Sequence, residues 1–205
     1  MPAQGSFVFG VVLLAAGRSR RMGQPKMLLP WKSTSVLGHL LSVWQRRGAE
    51  QMGVVLAAND DVIAAELEHL SFPASLRIWN SNAERGMFSS IQTAAQWNGW
   101  KESLTHLLLV LGDQPHLREE TLRELLDFAV MNSRAICQPR HAGHARHPVV
   151  LPRARFGQLA TTSASNLNEF LRGFSAERAF LESKDPGLAL DLDTMADYER
   201  ARSLA

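Results

Sequence analysis

The chain has 205 residues, 45% of them apolar and 20% charged, with a formal net charge of +2; this is the make-up of an ordinary globular protein, not of a disordered or fibrous chain, and we expect one domain over residues 1–205. Its longest apolar runs fall far short of the roughly 20 residues that cross a bilayer. Its single cysteine, Cys137, excludes an intrachain disulfide or a cysteine-based metal cluster. Basic residues are spread out except at Arg18, Arg20 and Arg21, which suits one small anionic ligand better than nucleic acid. We expect no export signal, no membrane span and a reducing, cytoplasmic setting.

The first expected element is a solid apolar strand at residues 7–14. Directly after it runs Leu14-Ala15-Ala16-Gly17-Arg18-Ser19-Arg20-Arg21-Met22-Gly23-Gln24-Pro25-Lys26. Successive amides of such a loop can curl around an anion: Gly17 and Gly23 permit positive φ and close approach, while arginine and lysine supply charge. It is not a Walker A loop, because five residues separate Gly17 from Gly23 and Gln24 stands where lysine is required, and there is no G-x-G-x-x-G. An amphipathic helix follows at 35–47, with Val36, Leu37, Leu40, Leu41 and Trp44 on one face, and then strands at 52–58 and 76–79. Residues 80–91 carry Asn80, Asn82, Gly86, Ser89 and Ser90 into the start of a helix, where a serine can cap the helix or meet an anion.

A strand at 105–111 delivers Asp113, within Gly112-Asp113-Gln114-Pro115, to the carboxyl edge of the sheet. Gly-Asp-x-Pro makes a good turn, and its carboxylate could also hold magnesium. A helix at 118–131 presents Leu122, Leu125, Leu126 and Ala129. Strands at 135–138 and 148–151 flank the stretch 139–148, dense in His, Gly and Pro, which we read as a long active-site loop. His141, His144 and His147 raise a zinc reading, against which stands the lack of any accompanying carboxylate or cysteine. A last strand at 188–192 should set Asp191 and Asp193 on the same side, with Thr194 capping the final helix. Strands alternating with helices predict a mostly parallel sheet covered on both faces. Such sheets bind ligands beyond their carboxyl ends, so the loops after Leu14, Leu111 and Leu192 should converge on one crevice.

The pattern Leu-Ala-Ala-Gly-x-Ser-x-Arg-Met-Gly-x-x-Lys-x-Leu-Leu-Pro, from Leu14 to Pro30, resembles the signature of the MobA-like nucleotidyltransferases, most closely their molybdenum cofactor cytidylyltransferase branch. The asparagine-to-Gly-Met-x-Ser-Ser segment at 80–91 and the Gly-Asp-x-Pro turn resemble further landmarks of that family. So does Asp191-Leu192-Asp193-Thr194-Met195-Ala196-Asp197-Tyr198, in which Met195 replaces the family's proline. His147-Pro148-Val149 resembles its Gly-His-Pro-Val turn, with Arg146 in place of the glycine. The family's Gly-Asp-x-Gly segment is not recognisable; residues 163–169 read Ser-Ala-Ser-Asn-Leu-Asn-Glu.

The resemblance implies a three-layer, Rossmann-like (GT-A-like) nucleotidyltransferase fold with a mostly parallel mixed sheet. It implies an enzyme dependent on Mg2+, or Mn2+ in its place, that transfers CMP from CTP to the phosphate of molybdopterin and releases pyrophosphate. On it, Leu14, Ala15, Ala16, Gly17, Arg18, Ser19, Arg21, Met22, Gly23, Lys26, Asn82, Gly86, Ser89 and Ser90 bind nucleotide. Lys26, Arg21 and Asp113 are catalytic, Asp113 and Asp193 hold the metal, and Gln114, His147 and Pro148 face the phosphorylated pterin acceptor. In the family Ala-Ala-Gly, here Ala15 to Gly17, accompanies cytidine, the Ala16 methyl leaving less room for a purine. The implied partners are CTP, the acceptor and a molybdoenzyme that receives the product, with neither nucleic acid nor membrane. Two other readings stay open, a sugar- or alditol-phosphate acceptor on the same scaffold and a non-catalytic accessory protein that binds nucleotide or cofactor; Arg146 and residues 163–169 favour either.

Overall fold

The computed structural model describes residues 6–17 and 22–204. In chain order the main elements are β1 (Phe9–Leu14), the two short strands β2 (Pro30–Trp31) and β3 (Thr34–Ser35), α1 (Val36–Arg46), β4 (Gln51–Ala57), α2 (Asp61–His69), β5 (Arg77–Asn80), α3 (Met87–Gln96), β6 (His106–Leu111), α4 (Glu119–Met131), β7 (Ile136–His141), β8 (His144–Ala145), β9 (Val149–Pro152), α5 (Arg153–Gln158), α6 (Leu167–Arg172), β10 (Arg178–Glu182) and α7 (Met195–Arg202). The main sheet has eight strands in the order β10-β7-β9-β6-β1-β4-β5, with β8 paired to β7. It is parallel at β6-β1-β4-β5 and β10-β7, and antiparallel where β9 runs between β6 and β7.

Side chains that alternate along the central strands fill two apolar layers. Val11 and Leu13 pack toward α1, α2, α4 and α7, and Val12 and Leu14 toward α3, α5 and α6. Because both faces are covered, these strands read as unbroken apolar runs. Helix ends are fixed by local chemistry. Ser35 accepts from the Gly38 amide at the start of α1, and Thr194 and Asp197 form a reciprocal capping box that starts α7. No helix among the described residues is long and apolar enough to cross a membrane.

Two expectations are corrected. Residues 139–148 are not a long loop: β7 runs on to His141 and turns through Ala142 (φ 50°) and Gly143 (φ 79°) into β8, a tight hairpin with His141 opposite His144. Residues 188–192 are not a strand. Asp185, Pro186 and Gly187 start a 3-10 turn in which the Asp185 carboxylate accepts from the Gly187 amide, and the chain beyond it is irregular. Leu188, Leu190 and Leu192 are nevertheless buried, so the apolar pattern reported burial without reporting geometry. Strand β10, on the sheet edge and rich in charge, had no such pattern to announce it.

Candidate active site

From β1 the chain crosses to β4 and then β5 on one side, and returns through α3 to place β6 on the other side of β1. This reversal opens a crevice between the carboxyl ends of β1 and β6, where an open parallel sheet binds ligands. The two ends are tied: the Gly112 amide donates to Leu14 O at 3.1 Å. Only glycine fits here, since a Cβ on residue 112 would lie 2.7 Å from both Leu14 O and Met27 Sδ.

A cleft of about 360 Å3 opens at this point, lined by Leu14, Ala15, Ala16, Gly17, Lys26, Met27, Ala83, Glu84, Gly86, Met87, Ser90, Leu111, Gly112 and Asp113. That volume lies within the range of small-ligand sites. On its floor Lys26 Nζ donates to Asp113 Oδ2 at 2.7 Å and to Leu192 O at 3.3 Å. The Leu192 amide donates to Asp113 O at 3.1 Å, which fastens the segment 191–193 against the end of β6. Thus the three loops expected to converge do meet, although 191–193 arrives as a turn, with the Asp193 amide bonded to Asp191 O at 3.0 Å.

The acidic side of the site is electrostatically strained. Asp191 has its pKa raised, chiefly by burial and then by the charge of Asp113, against the opposing hydrogen bond from Gln114 Nε2 at 2.9 Å. Asp193 adds to the repulsion, and Lys26 relieves part of it. Asp113 Oδ1 is buried and accepts no hydrogen bond. No group of three or more His, Cys, Asp or Glu side chains among the described residues is arranged as a metal cage. Magnesium and manganese do not require one: hard carboxylate oxygens suit them, and Mg2+ is commonly held by one or two carboxylates with the phosphates of its substrate. An enclosed, unpartnered carboxylate oxygen at the cleft floor fits that pattern.

The remaining expected site residues divide by position. Leu14 to Gly17, Lys26, Gly86, Ser90 and Asp113 border the cleft. Gly86, at φ 92°, is the N-cap of α3 and lets the chain turn into the helix. Ser89 is turned inward: it donates to Asn82 O and Gly86 O at 2.8 Å and accepts from Asn80 Nδ2 at 2.9 Å. Asn80 also donates to Ser90 Oγ, so this buried asparagine shapes the cleft wall. Asn82 is exposed, and its side chain donates to Ser81. Met22 packs into the core and Gly23 has φ 69°. Arg18, Ser19, Arg20 and Arg21 lie outside the described residues.

Of the residues expected to face the acceptor, Gln114 is buried against Asp191, and Pro148 leads into β9. His147 Nδ1 lies 3.5 Å from Leu109 O; burial lowers its pKa, against the pull of Leu109 O and Asp113. His141 lies apart, against Ser183 O. Sequence reasoning passed over Glu84 and Met87 as cleft residues. The 3-10 turn Ala83–Arg85 that precedes Gly86 brings the first of them there, and no residue-type signal distinguishes it.

A parallel sheet with a switch-point cleft, a glycine-rich loop after its first strand and a Lys-Asp pair on the floor define a nucleotide-handling α/β protein. The chain belongs to the MobA-like NTP transferase domain family, whose model matches residues 11–182. It is 25% identical to the molybdenum cofactor cytidylyltransferase of Escherichia coli K12 over 93% of this chain and 94% of that one. It is 34% identical to the bifunctional protein GlmU of Parvibaculum lavamentivorans over 57% of this chain, and spans only 25% of that longer relative. Among solved structures, Rv0371c of Mycobacterium tuberculosis H37Rv superposes with a TM-score of 0.73 at 28% identity, covering 97% of this chain and 98% of that one. The same mycobacterial protein has also been solved as a complex with manganese.

Proposed function

We propose that this protein transfers CMP from CTP to the phosphate of molybdopterin, using Mg2+ or Mn2+ and releasing pyrophosphate. The observation that carries this reading is the Lys26-Asp113 pair, with the Asp191 to Asp193 segment against it, at the closed end of a cleft between β1 and β6. The full-length similarity to a cytidylyltransferase supports the choice of nucleotide and acceptor, and the manganese complex of Rv0371c supports the metal.

The acceptor phosphate oxygen forms a bond to the α-phosphorus of CTP while the bond from that phosphorus to the bridging β-oxygen breaks, and pyrophosphate leaves. Asp113 and Asp193 would hold the divalent ion, which when bound would supply charge neutralisation at the α-phosphate. Lys26 lies beside the same carboxylate and offers its ammonium to the charge that grows in the in-line transition state. Amides from Ala16 to Gly23, with Arg21, hold the leaving phosphates. The Ala16 side chain at the cleft edge disfavours a purine. No general base is needed, because a phosphomonoester with a second pKa of about 6 is already largely dianionic at neutral pH.

Arg146, in place of the family's glycine, favours as a second reading a sugar- or alditol-phosphate acceptor. Pyrophosphate release measured with each of the four NTPs, with Mg2+ or Mn2+, against molybdopterin and a panel of sugar and alditol phosphates separates the two. Turnover confined to CTP and molybdopterin is expected. Release with a sugar phosphate alone would overturn the acceptor, and tight CTP binding without release from any acceptor would overturn catalysis.

A further inference from the structure

His116 and Asp185 are buried ionisable residues that have no part in the chemistry above. Both are enclosed, at 1% and 4% exposure, and they meet around Gly187. His116 directly follows the Gly112-Asp113-Gln114-Pro115 turn, and Asp185 opens the 3-10 turn that leads to Asp191. They therefore belong to the two segments that come together on the cleft floor.

The Asp185 carboxylate gathers donors from both segments. Its Oδ1 accepts from the Gly187 amide at 2.9 Å, and its Oδ2 accepts from Thr121 Oγ1 at 2.8 Å and from the Arg118 amide at 3.2 Å. Arg118 is the N-cap of α4, and its own side chain supplies no capping bond. Asp185 takes that place from far along the chain, at a helix end where the dipole favours negative charge, and the Arg118 guanidinium adds a cation 3.9 Å from Oδ1. His116 closes the other side of the turn, with Nε2 donating to Gly187 O at 3.0 Å. A carbonyl only accepts, so the ring proton sits on Nε2, and Nδ1 is enclosed without a donor. Burial lowers the pKa of the ring, against the pull of Gly187 O and of Asp185. The fit is close: a Cβ on residue 187 would lie 3.0 Å from both His116 Cδ2 and Asp185 Oδ1.

These bonds continue the ones already described at the floor. Asp113 O meets the Leu192 amide, Gln114 meets Asp191, His116 meets Gly187, and Arg118 with Thr121 meets Asp185. One segment thus runs antiparallel to the other, joined largely by side chains where paired strands would be joined by main chain. Leu188, Leu190 and Leu192 keep the segment buried, but apolar burial is non-directional and does not fix which residue faces Asp113. Directional hydrogen bonds do. Gly187 O also accepts from the Leu190 amide at 3.1 Å, so the carbonyl that His116 holds is itself bonded to the residue before Asp191.

We propose that His116 and Asp185 are positioning residues for nucleotidyl transfer: they fix the register of residues 185–193 against residues 113–121, and so hold Asp193 where it can share a divalent cation with Asp113. This rests on the transferase reading of the cleft, and adds to it two residues that act through Asp193 and not on the reacting atoms.

Three variants separate positioning from simple support of the fold. His116→Leu removes the donor and keeps an apolar side chain in its place, His116→Gln restores an amide hydrogen close to the position of Nε2, and Asp185→Asn leaves one acceptor oxygen where two are in use. Mn2+ affinity is read by electron paramagnetic resonance with a non-hydrolysable CTP analogue present, each variant held well below its melting temperature. His116→Leu and Asp185→Asn should weaken Mn2+ binding by about tenfold to a hundredfold, the usual effect of losing a group that orients a metal-binding side chain. His116→Gln should recover most of that loss, and affinity for the analogue without metal should stay unchanged. His116→Leu is then repeated in an Asp193→Asn background, where it has nothing left to position and should add no further loss. Folded variants that melt lower but bind Mn2+ as the wild type does would overturn the proposal, and so would an undiminished loss in the Asp193→Asn background. Absence of pyrophosphate release from the wild type with every acceptor would sink the transferase reading, while the Mn2+ comparisons would still decide how His116 and Asp185 act, so the two failures are distinct.

Discussion

Lys26→Met removes the ammonium that pairs with Asp113 and keeps most of the aliphatic stem. The pair is short, 2.7 Å, and enclosed, with side-chain exposures of 14% and 21%. Breaking a fully buried pair costs about 3–5 kcal/mol and an exposed one about 0–1 kcal/mol. Partial solvent screening at these exposures puts the loss at about 2 kcal/mol, or about 4–8 °C of melting temperature for a chain of this size. The same change frees Asp113 Oδ2 beside an Oδ1 that already has no partner, so a divalent cation no longer competes with lysine for the carboxylate. Mn2+ measured by electron paramagnetic resonance without nucleotide should bind about tenfold more tightly, within the affinity that 2 kcal/mol could provide. Turnover should meanwhile fall by about two to three orders of magnitude, the usual cost of losing one transition-state donor. A variant that melts within 1 °C of the wild type and binds Mn2+ no better would refute the idea that Lys26 holds the place of the metal in the unliganded cleft.

Asp113→Asn should leave the circular dichroism spectrum unchanged while pyrophosphate release drops by about a thousandfold, since several kcal/mol of metal-borne charge stabilisation is lost; a folded variant with near-normal turnover would remove Asp113 from the chemistry. Asp191→Asn keeps an oxygen for Gln114 and deletes a charge that the fold resists. The folded pKa of Asp191 is raised by burial and by Asp113, so its contribution to stability is fully present below the unfolded pKa and is lost as pH rises through the folded one. The variant should therefore melt above the wild type at pH 7, with the gap closing below about pH 4; equal melting at neutral pH would contradict the raised pKa. Gly112→Ala drives a Cβ to 2.7 Å from Leu14 O, and the forced separation of β1 from β6 should cost about 1–3 kcal/mol, read by chemical denaturation, with nucleotide affinity falling in parallel.

The parts of the fold that announced themselves were those in which burial and geometry coincide. The central strands β1, β4 and β6 are covered on both faces, so an apolar run has little choice but to be a strand in mid-sheet, and each was anticipated to within two residues. Residues 188–192 show where that inference breaks: Leu188, Leu190 and Leu192 are as buried as strand residues, but Asp185, Pro186 and Gly187 set a turn whose hydrogen bonds forbid pairing. At 139–148 the error ran the other way. Histidines, glycine and proline suggested a loop, while Ala142 and Gly143 alone absorb the reversal and the flanking residues pair. That Asp113 and Lys26 meet in one cleft was legible because each closes a motif attached to a central strand. The inward turn of Ser89 was not, because it depends on Asn80 reaching across from β5.

The cleft and the outer edge of the sheet are built on different physical terms. The cleft hangs from β1 and β6, paired along six residues, and its Lys-Asp pair is set by main-chain hydrogen bonds at Gly112 and Leu192. Little there can move without breaking the centre of the sheet. The outer end of the sheet is formed by β7, β8 and β10, where side chains such as Arg140, Arg178 and Phe180 are held by one another and not by a core. Substitutions at that edge disturb few buried contacts and leave the cleft between β1 and β6 in place. Of the two departures, only Arg146 falls at this edge, its amide bonded to Pro139 O; residues 163–165 instead share a hollow with Arg85, Phe88 and Ser89 at the start of α3, so a change there acts on the wall of the cleft and not on the edge of the sheet.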